Sequence, residues 1–304
     1  VEKKKILSKS TYVLNESDFI SHYELYEQYD WLLDRVKGLE SLWSFLNEEE
    51  RALMIKLFSY FHVMGHSEEK ERLEKIASVI TDEWNCSHEN TVIVSICKDN
   101  KPDGSQEMAN SLKNKFEGYD WDESNICNRF DNFLLSRRLT DYKNIILCDD
   151  FIGSGHTIAS RVKDLKKNIP TRKWWQFWKP RFQETKIYII GIAGMQDAHP
   201  VIMENGTYNC HIGLFLNKGI RDNFQGNDRE NNIKIMKGIE LKLAKRITLK
   251  KRTLKLKKYN FGWNGAEALF CTEDGNIPNN VFPIFWWPKL ENGKKITPLF
   301  KRVL

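Results

Sequence analysis

The sequence predicts an α/β fold, an open and mainly parallel sheet preceded by an N-terminal helical subdomain. Three observations carry this. Short aliphatic or β-branched runs recur at Thr91–Ile96 (TVIVSI), Asn144–Cys148 (NIILC) and Lys186–Ile192 (KIYIIGI), with helical patterns between them. The first two runs each lead into a glycine-containing loop and then a helical stretch. Before residue 90 the pattern is helical, with no comparable strand. Strands alternating with helices form parallel sheets joined by right-handed crossovers.

Each element follows from its residues. Residues 14–85 read as helices. Asn47 with Glu50 is a capping-box pair, after which Met54, Leu57, Phe58 and Phe61 share one helical face. Ser67 opens another helix, with Leu73, Ile76, Ala77 and Ile80 at the same spacing. A helical accessory subdomain is therefore expected over 1–88 and a second domain over 89–304. In the second, Thr91–Ile96 passes through a Pro-Asp-Gly-Ser loop into a helix at Gln106–Phe116. Asn144–Cys148 leads to a helix at His156–Lys166, and His211–Leu216 supplies a fourth strand. Residues 170–184 read as an aromatic and basic insertion, and 230–304 as a C-terminal extension. Its end, Tyr259–Leu304, reads as irregular or antiparallel.

Composition narrows the class. Of the 304 residues 41% are hydrophobic, enough for a real core, and no run of about 18 apolar residues is present to cross a membrane. Val1-Glu2-Lys3-Lys4-Lys5 does not resemble a signal peptide. Cysteines 86, 97, 127, 148, 210 and 271 are scattered without a C-x-x-C pair, which reads as reduced thiols in a cytoplasmic protein. The net charge of +6 is unevenly placed. Lys234–Lys258 holds eleven Lys/Arg and one acid, hence +10, leaving 6 − 10 = −4 for the rest.

The string with most chemical content runs from Asn144 to Thr157, NIILCDDFIGSGHT. An apolar strand ends in two carboxylates, Asp149 and Asp150, at the sheet edge where open α/β folds bind ligands. Gly153 and Gly155 allow close backbone approach, Ser154 and Thr157 add hydroxyls, and the next helix begins here with unpaired N–H groups suited to phosphate. Carboxylates beside a phosphate repel it unless a polyol lies between, and a ribose phosphate meets that demand. A P-loop needs Gly-Lys, which is missing. A dinucleotide site needs a third glycine, where Ile158 stands, and a downstream acid, yet none occurs between Asp164 and Glu184.

The D-D-x-x-G-S-G-x-T string resembles the diphosphoribosyl-binding motif of type I phosphoribosyltransferases. The resemblance implies that fold over about 90–220, with Asp149 and Asp150 as the candidate catalytic residues holding the ribose. It implies 5′-phosphate contacts at Gly153, Ser154, Gly155, His156 and Thr157. By position, Lys98–Ser105 stands where that family has its pyrophosphate loop, making Lys98, Lys101, Gly104 and Ser105 candidate contacts. Mg2+ is expected through the ligand's diphosphate, with no side chain as metal ligand. Residues 117–143 depart from the family: they show no strand followed by a mobile loop, and Phe130–Leu139 reads as helix. In the tail, Pro278-Asn279-Asn280-Val-Phe-Pro283-Ile-Phe-Trp286-Trp287 and Pro298-Leu299-Phe300-Lys-Arg302 are similar to the end of phosphoribosyltransferase-like effectors of bacterial conflict systems. Some of those are encoded beside retron reverse transcriptases, so the resemblance implies anti-phage defence.

Three roles stay open: an enzyme acting at C1 of a phosphoribosyl diphosphate or nucleotide, a non-catalytic sugar-phosphate sensor, and an interaction subunit. For the last, Trp174 and Trp178 amid basic residues offer stacking surfaces, and Lys250, Lys251 and Arg252 offer phosphate contacts. The partner would be a nucleic acid, or a reverse transcriptase–nucleic acid complex. Arg129, Arg137 and Arg138 read as a solvated helix face, and His156 as a backbone donor.

Overall fold

A computed structural model describes residues 23–98, 103–136, 139–169, 185–249, 252–273 and 276–302. The chain forms two compact units, residues 65–217 and residues 1–64 with 218–304. The grouping differs from a division at residue 88. The helix from His66 to Ser78 packs on the sheet and belongs with it, while the C-terminal extension joins the N-terminal helices. Among the described residues the strands are β1 (His62–Met64), β2 (Thr91–Ser95), β3 (Ile126–Cys127), β4 (Asn144–Ile152), β5 (Lys186–Met195), β6 (Asn209–Leu216), β7 (Arg246–Leu249), β8 (Arg252–Lys255) and β9 (Phe270–Thr272). The longer helices are α1 (Val36–Trp43), α2 (Glu48–Phe58), α3 (His66–Ser78), α4 (Gly104–Lys113), α5 (Phe130–Ser136), α6 (His156–Asn168), α7 (Ala198–Glu204) and α8 (Gly226–Leu241).

The 65–217 unit is a five-stranded, wholly parallel sheet in the order β3-β2-β4-β5-β6. Parallel strands are covered on both faces and so read as unbroken apolar runs; every residue of β2 and nearly every residue of β5 is buried. Alternation along the strands splits the core in two. Val92, Val94, Ile145, Leu147, Ile187 and Ile189 meet Phe130, Phe133, Ile158, Val162, Leu165 and Ile202 from α5, α6 and α7. The opposite face is covered by α3 and α4. The chain thus leaves β2 for one face and β4 for the other, and the switch point lies between those two neighbours. The short edge strand β3 lies inside 117–143, where the sequence shows none, while the expected helix is there as α5.

The other unit is built around aromatic side chains. The Asn47/Glu50 capping box is present in both directions, each bond 2.9 Å. Phe61 stacks on Phe300 at 4.9 Å, and Trp43 on Phe58 at 5.9 Å. The tail is largely irregular, yet Phe282, Phe285, Trp286 and Trp287 are fully buried. The two indoles donate to the carbonyls of Val281 and Ala244 at 3.1 and 2.9 Å. β9 pairs with β1 in parallel, so the tail is not simply antiparallel. The tail signature is therefore core.

The basic stretch 234–258 is not one helix. α8 ends at Leu241, and β7 and β8 then form an antiparallel hairpin. Met236, Ile239 and Leu243 are buried, as their spacing predicts. Two of the cations are already paired: Lys242 with the buried Glu50 at 2.5 Å, and Lys245 with Glu291 at 3.0 Å. No described helix is long and apolar enough to cross a membrane. All six cysteines are free thiols.

Candidate functional site at the carboxyl end of the sheet

β4 outruns its neighbour. Its pairing with β2 stops at Ser95 opposite Cys148, whereas pairing with β5 continues from Asp149 through Ile152 opposite Gly194. The two acids therefore lie in the extended end of a strand, not beyond it, at the switch point where open α/β sheets bind ligands. Both are half-buried.

After β4 the chain turns through Gly153-Ser154-Gly155 into α6. Gly155 has φ 72°, and a Cβ there would come within 2.9 Å of the Ala198 carbonyl, so glycine is required twice over. No side chain caps α6 and no acid stands in its first turn. The first-turn N–H groups of a helix have no acceptor within it and suit an anion. His156 and Thr157 are exposed, and Gly153 and Ser154 are half-buried.

The loop after β2 approaches from the other side. Asp103 caps α4, its carboxylate accepting from the Ser105 N–H at 3.0 Å and the Ser105 hydroxyl at 2.8 Å. Since Ser105 donates to Asp103, the 2.6 Å contact between Ser95 and Ser105 must be donated by Ser95, which in turn accepts from the Cys97 N–H. The hydroxyls of this chain have fixed directions. Ser105 is fully buried, with both its hydroxyl and its N–H engaged, so it braces the loop. Gly104 lies against the carboxylate of Asp150, and a methyl group there would overlap it.

Oxygens of Asp103, Asp149 and Asp150 all lie within 4.8 Å of one another. Burial, then the charges of Asp150 and Asp103, push the Asp149 carboxyl well above the ordinary carboxylate range. Burial and Asp103 raise Asp150. Solvent still reaches both side chains and moderates these effects. The cluster has too much negative charge and only oxygen donors, which fits a hard divalent cation such as Mg2+. Donated hydroxyls relieve the same excess.

Asp103 is the residue that sequence reasoning missed. The signal was there: an acid directly before Gly-Ser at the start of a helix is an N-cap pattern. Lys98 is placed differently from the expectation. Its ammonium pairs with Asp164 of α6 at 2.7 Å, holding that carboxyl below its usual range. Arg161 of α6 donates to the Ile96 carbonyl at 2.9 Å. Both tie α6 to the end of β2 across the switch point. Lys101, Trp174, Trp178, Lys250, Lys251, Arg137 and Arg138 lie outside the described residues. Arg252 is exposed at the start of β8, in the other unit, and Arg129 precedes α5.

No curated protein matches this chain. A family model does: PRTase-CE, phosphoribosyltransferase-like conflict effectors, over residues 39–302. That span takes in the sheet, the carboxylate cluster and the buried aromatic tail, and the chain belongs to the PRTase-CE family of phosphoribosyltransferase-like effectors.

Proposed function

We propose that this effector binds a ribose 5-phosphate ligand, either phosphoribosyl diphosphate or a nucleotide, and acts at its C1 bond. The observation that carries the reading is the meeting, at one switch point, of the Asp103/Asp149/Asp150 cluster with the uncapped start of α6. Asp149 and Asp150 accept hydrogen bonds from the ribose hydroxyls, and the Gly153–Thr157 backbone holds the 5′-phosphate. The ribose then separates like charges. As the C1–O bond breaks, its electrons leave with the diphosphate and positive charge grows on the ring, which nearby carboxylates stabilise. Mg2+ bound with the ligand neutralises charge on the departing diphosphate. The acceptor at C1 is a base, water or a macromolecule.

A sensor without catalysis is the second reading, and α5 favours it. The connection from β3 to β4 carries this helix, whose Phe130 and Phe133 are fully buried in the core. A segment anchored in that way does not close over a substrate. The conflict-effector family motivates an anti-phage role, with a nucleic acid or a reverse transcriptase–nucleic acid complex as partner.

The two readings separate in one experiment. Purified protein is incubated with phosphoribosyl diphosphate, NAD or ATP and Mg2+, and products are identified by mass spectrometry. Cleavage at C1 that disappears in Asp149→Asn/Asp150→Asn establishes the enzyme. Binding without turnover establishes the sensor, and neither binding nor turnover rejects the site. Expression in bacteria adds a cellular test, in which the wild type is expected to slow growth and the double variant is not.

A further inference from the structure

The opposite end of the same sheet holds a cleft of about 340 Å3, at the amino ends of β4 and β5. Asp149 and Asp150 stand five and six residues along β4 from Asn144, so roughly 17–20 Å separates this cleft from the carboxylate edge at about 3.3 Å per residue. One wall is aromatic: the Trp84 indole stacks on the buried Tyr188 ring at 4.7 Å and 27°. Its rim carries two lysines. The Lys186 N–H donates to the Lys143 carbonyl at 2.7 Å, which holds the two residues side by side. Lys186 Nζ rests 4.0 Å from the centre of the Tyr208 ring rather than on a carboxylate. No Asp or Glu is among the described residues that line the cleft. Asn85, Asn90 and Asn144 complete it, with the Asn144 amide donating to the Asn90 side chain at 3.2 Å and to Thr91 at 3.0 Å.

We infer that this cleft binds a nucleoside 5′-monophosphate. Two ammonium groups without an acidic partner among the described lining residues call for an anion, and an indole stacked in the wall calls for a planar ring. Side-chain amides meet the edge of a base, here those of Asn85 and Asn90, because both Asn144 donors are spent within the cleft. The volume lies near the lower end of the ~300–1,000 Å3 range of small-molecule clefts, which suits one nucleotide and not two. Ligands here and at the carboxylate edge do not compete, and this inference does not rest on the reaction proposed above.

The test uses calorimetry with AMP as the probe, in full-length protein carrying Asp149→Asn/Asp150→Asn so that the carboxylate edge is silent. One AMP is expected to bind. Adding Lys143→Gln/Lys186→Gln should weaken that binding at least tenfold without lowering the unfolding temperature, since both lysines are exposed. Ribose 5-phosphate and inorganic phosphate, which have no ring to stack, should bind at least tenfold more weakly than AMP. Absence of AMP binding in the Asp149→Asn/Asp150→Asn protein overturns the inference, as does binding that the lysine changes leave intact. Loss of ribose 5-phosphate binding by wild-type protein would reject the carboxylate site and leave this one standing.

Discussion

Replacing Gly104 by alanine tests whether the loop after β2 and the carboxylate pair form one site. The new methyl group would occupy the space of the Asp150 carboxylate, a side-chain group able to rotate, and not a backbone atom. Turning an aspartate about 30° off its rotamer costs ~0.5–1.5 kcal/mol. Alanine in place of glycine at a compatible helical position returns ~0.4–1 kcal/mol through the unfolded chain. Stability should therefore change by less than about 1 kcal/mol. Affinity should change more. A hydrogen bond to a charged acceptor is worth ~1.5–3 kcal/mol, so losing the aligned Asp150 should weaken ribose 5-phosphate binding roughly 10- to 100-fold. Titration calorimetry and urea unfolding on the same preparations measure both quantities. Gly238→Ala is the control, because nothing lies within 4 Å of its added carbon and binding should be unaffected. Unchanged affinity in Gly104→Ala would refute the role given to Asp150. A loss of stability above ~3 kcal/mol would show that the backbone, and not the carboxylate, had to move.

Other expectations follow from charge. Neutralising Asp149→Asn/Asp150→Asn removes repulsion, so at pH 8 the variant should gain about 1 kcal/mol of stability, roughly 2–4 °C in Tm, while losing the ligand; a fall in Tm would contradict the charge excess. Because the two carboxyls hold protons above the usual range, Mg2+ binding should release protons, visible as a dependence of calorimetric heat on buffer ionisation, and should tighten as pH rises. Burial pushes Glu240 up to about 7 from its ordinary 4.5, although the Phe261 N–H opposes this. A raised acid stabilises the fold below the unfolded pKa and loses that contribution as pH climbs through 7; at about 1.4 kcal/mol per pH unit the loss is about 3 kcal/mol. Glu240→Gln should remove that part of the slope of unfolding free energy between pH 4.5 and 7, and an unaltered slope would place the titration elsewhere. Lys250→Gln/Lys251→Gln/Arg252→Gln should flatten the log–log salt dependence of nucleic-acid affinity by roughly two units, at about −0.9 per neutralised phosphate on duplex and −0.7 on single strands. A wild-type slope near zero would remove nucleic acid from the list of partners.

What the sequence revealed and what it hid have physical reasons. β2, β4 and β5 were legible because strands buried on both faces need unbroken apolar runs, and the glycines of 153–155 mark where backbone must approach closely. β3 has only Ile126 and Cys127, too short to carry a period. The switch point could not be read at all, since strand order is set by packing and not by any local string. For that reason Asp103, far from Asp149 in sequence, looked like an ordinary loop acid. In 234–258 the spacing of Met236 and Ile239 marks the buried face of α8, while the alternation of the β7–β8 hairpin is too brief to stand out. Lys98 was placed by its position along the chain, whereas the structure gives it to Asp164. The tail's aromatic residues were recognised as a signature, yet only the structure shows that they are interior packing.

The unit made from residues 1–64 and 218–304 has a consequence for how the chain is made. His62 of β1 finds its partner Phe270 only about 200 residues later in synthesis, whereas the sheet unit is contiguous and is complete by residue 217. On the ribosome, domains fold as their residues emerge, so the sheet can assemble while Phe58 and Phe61 still lack their tail partners Phe285 and Phe300. A stalled or clipped polypeptide would then carry the carboxylate edge on an otherwise unfinished body with apolar surface exposed, which is what cellular proteases remove. The burial of Trp286 and Trp287 therefore follows the completion of the sheet unit, and a chain interrupted between the two steps would leave its aromatic core open.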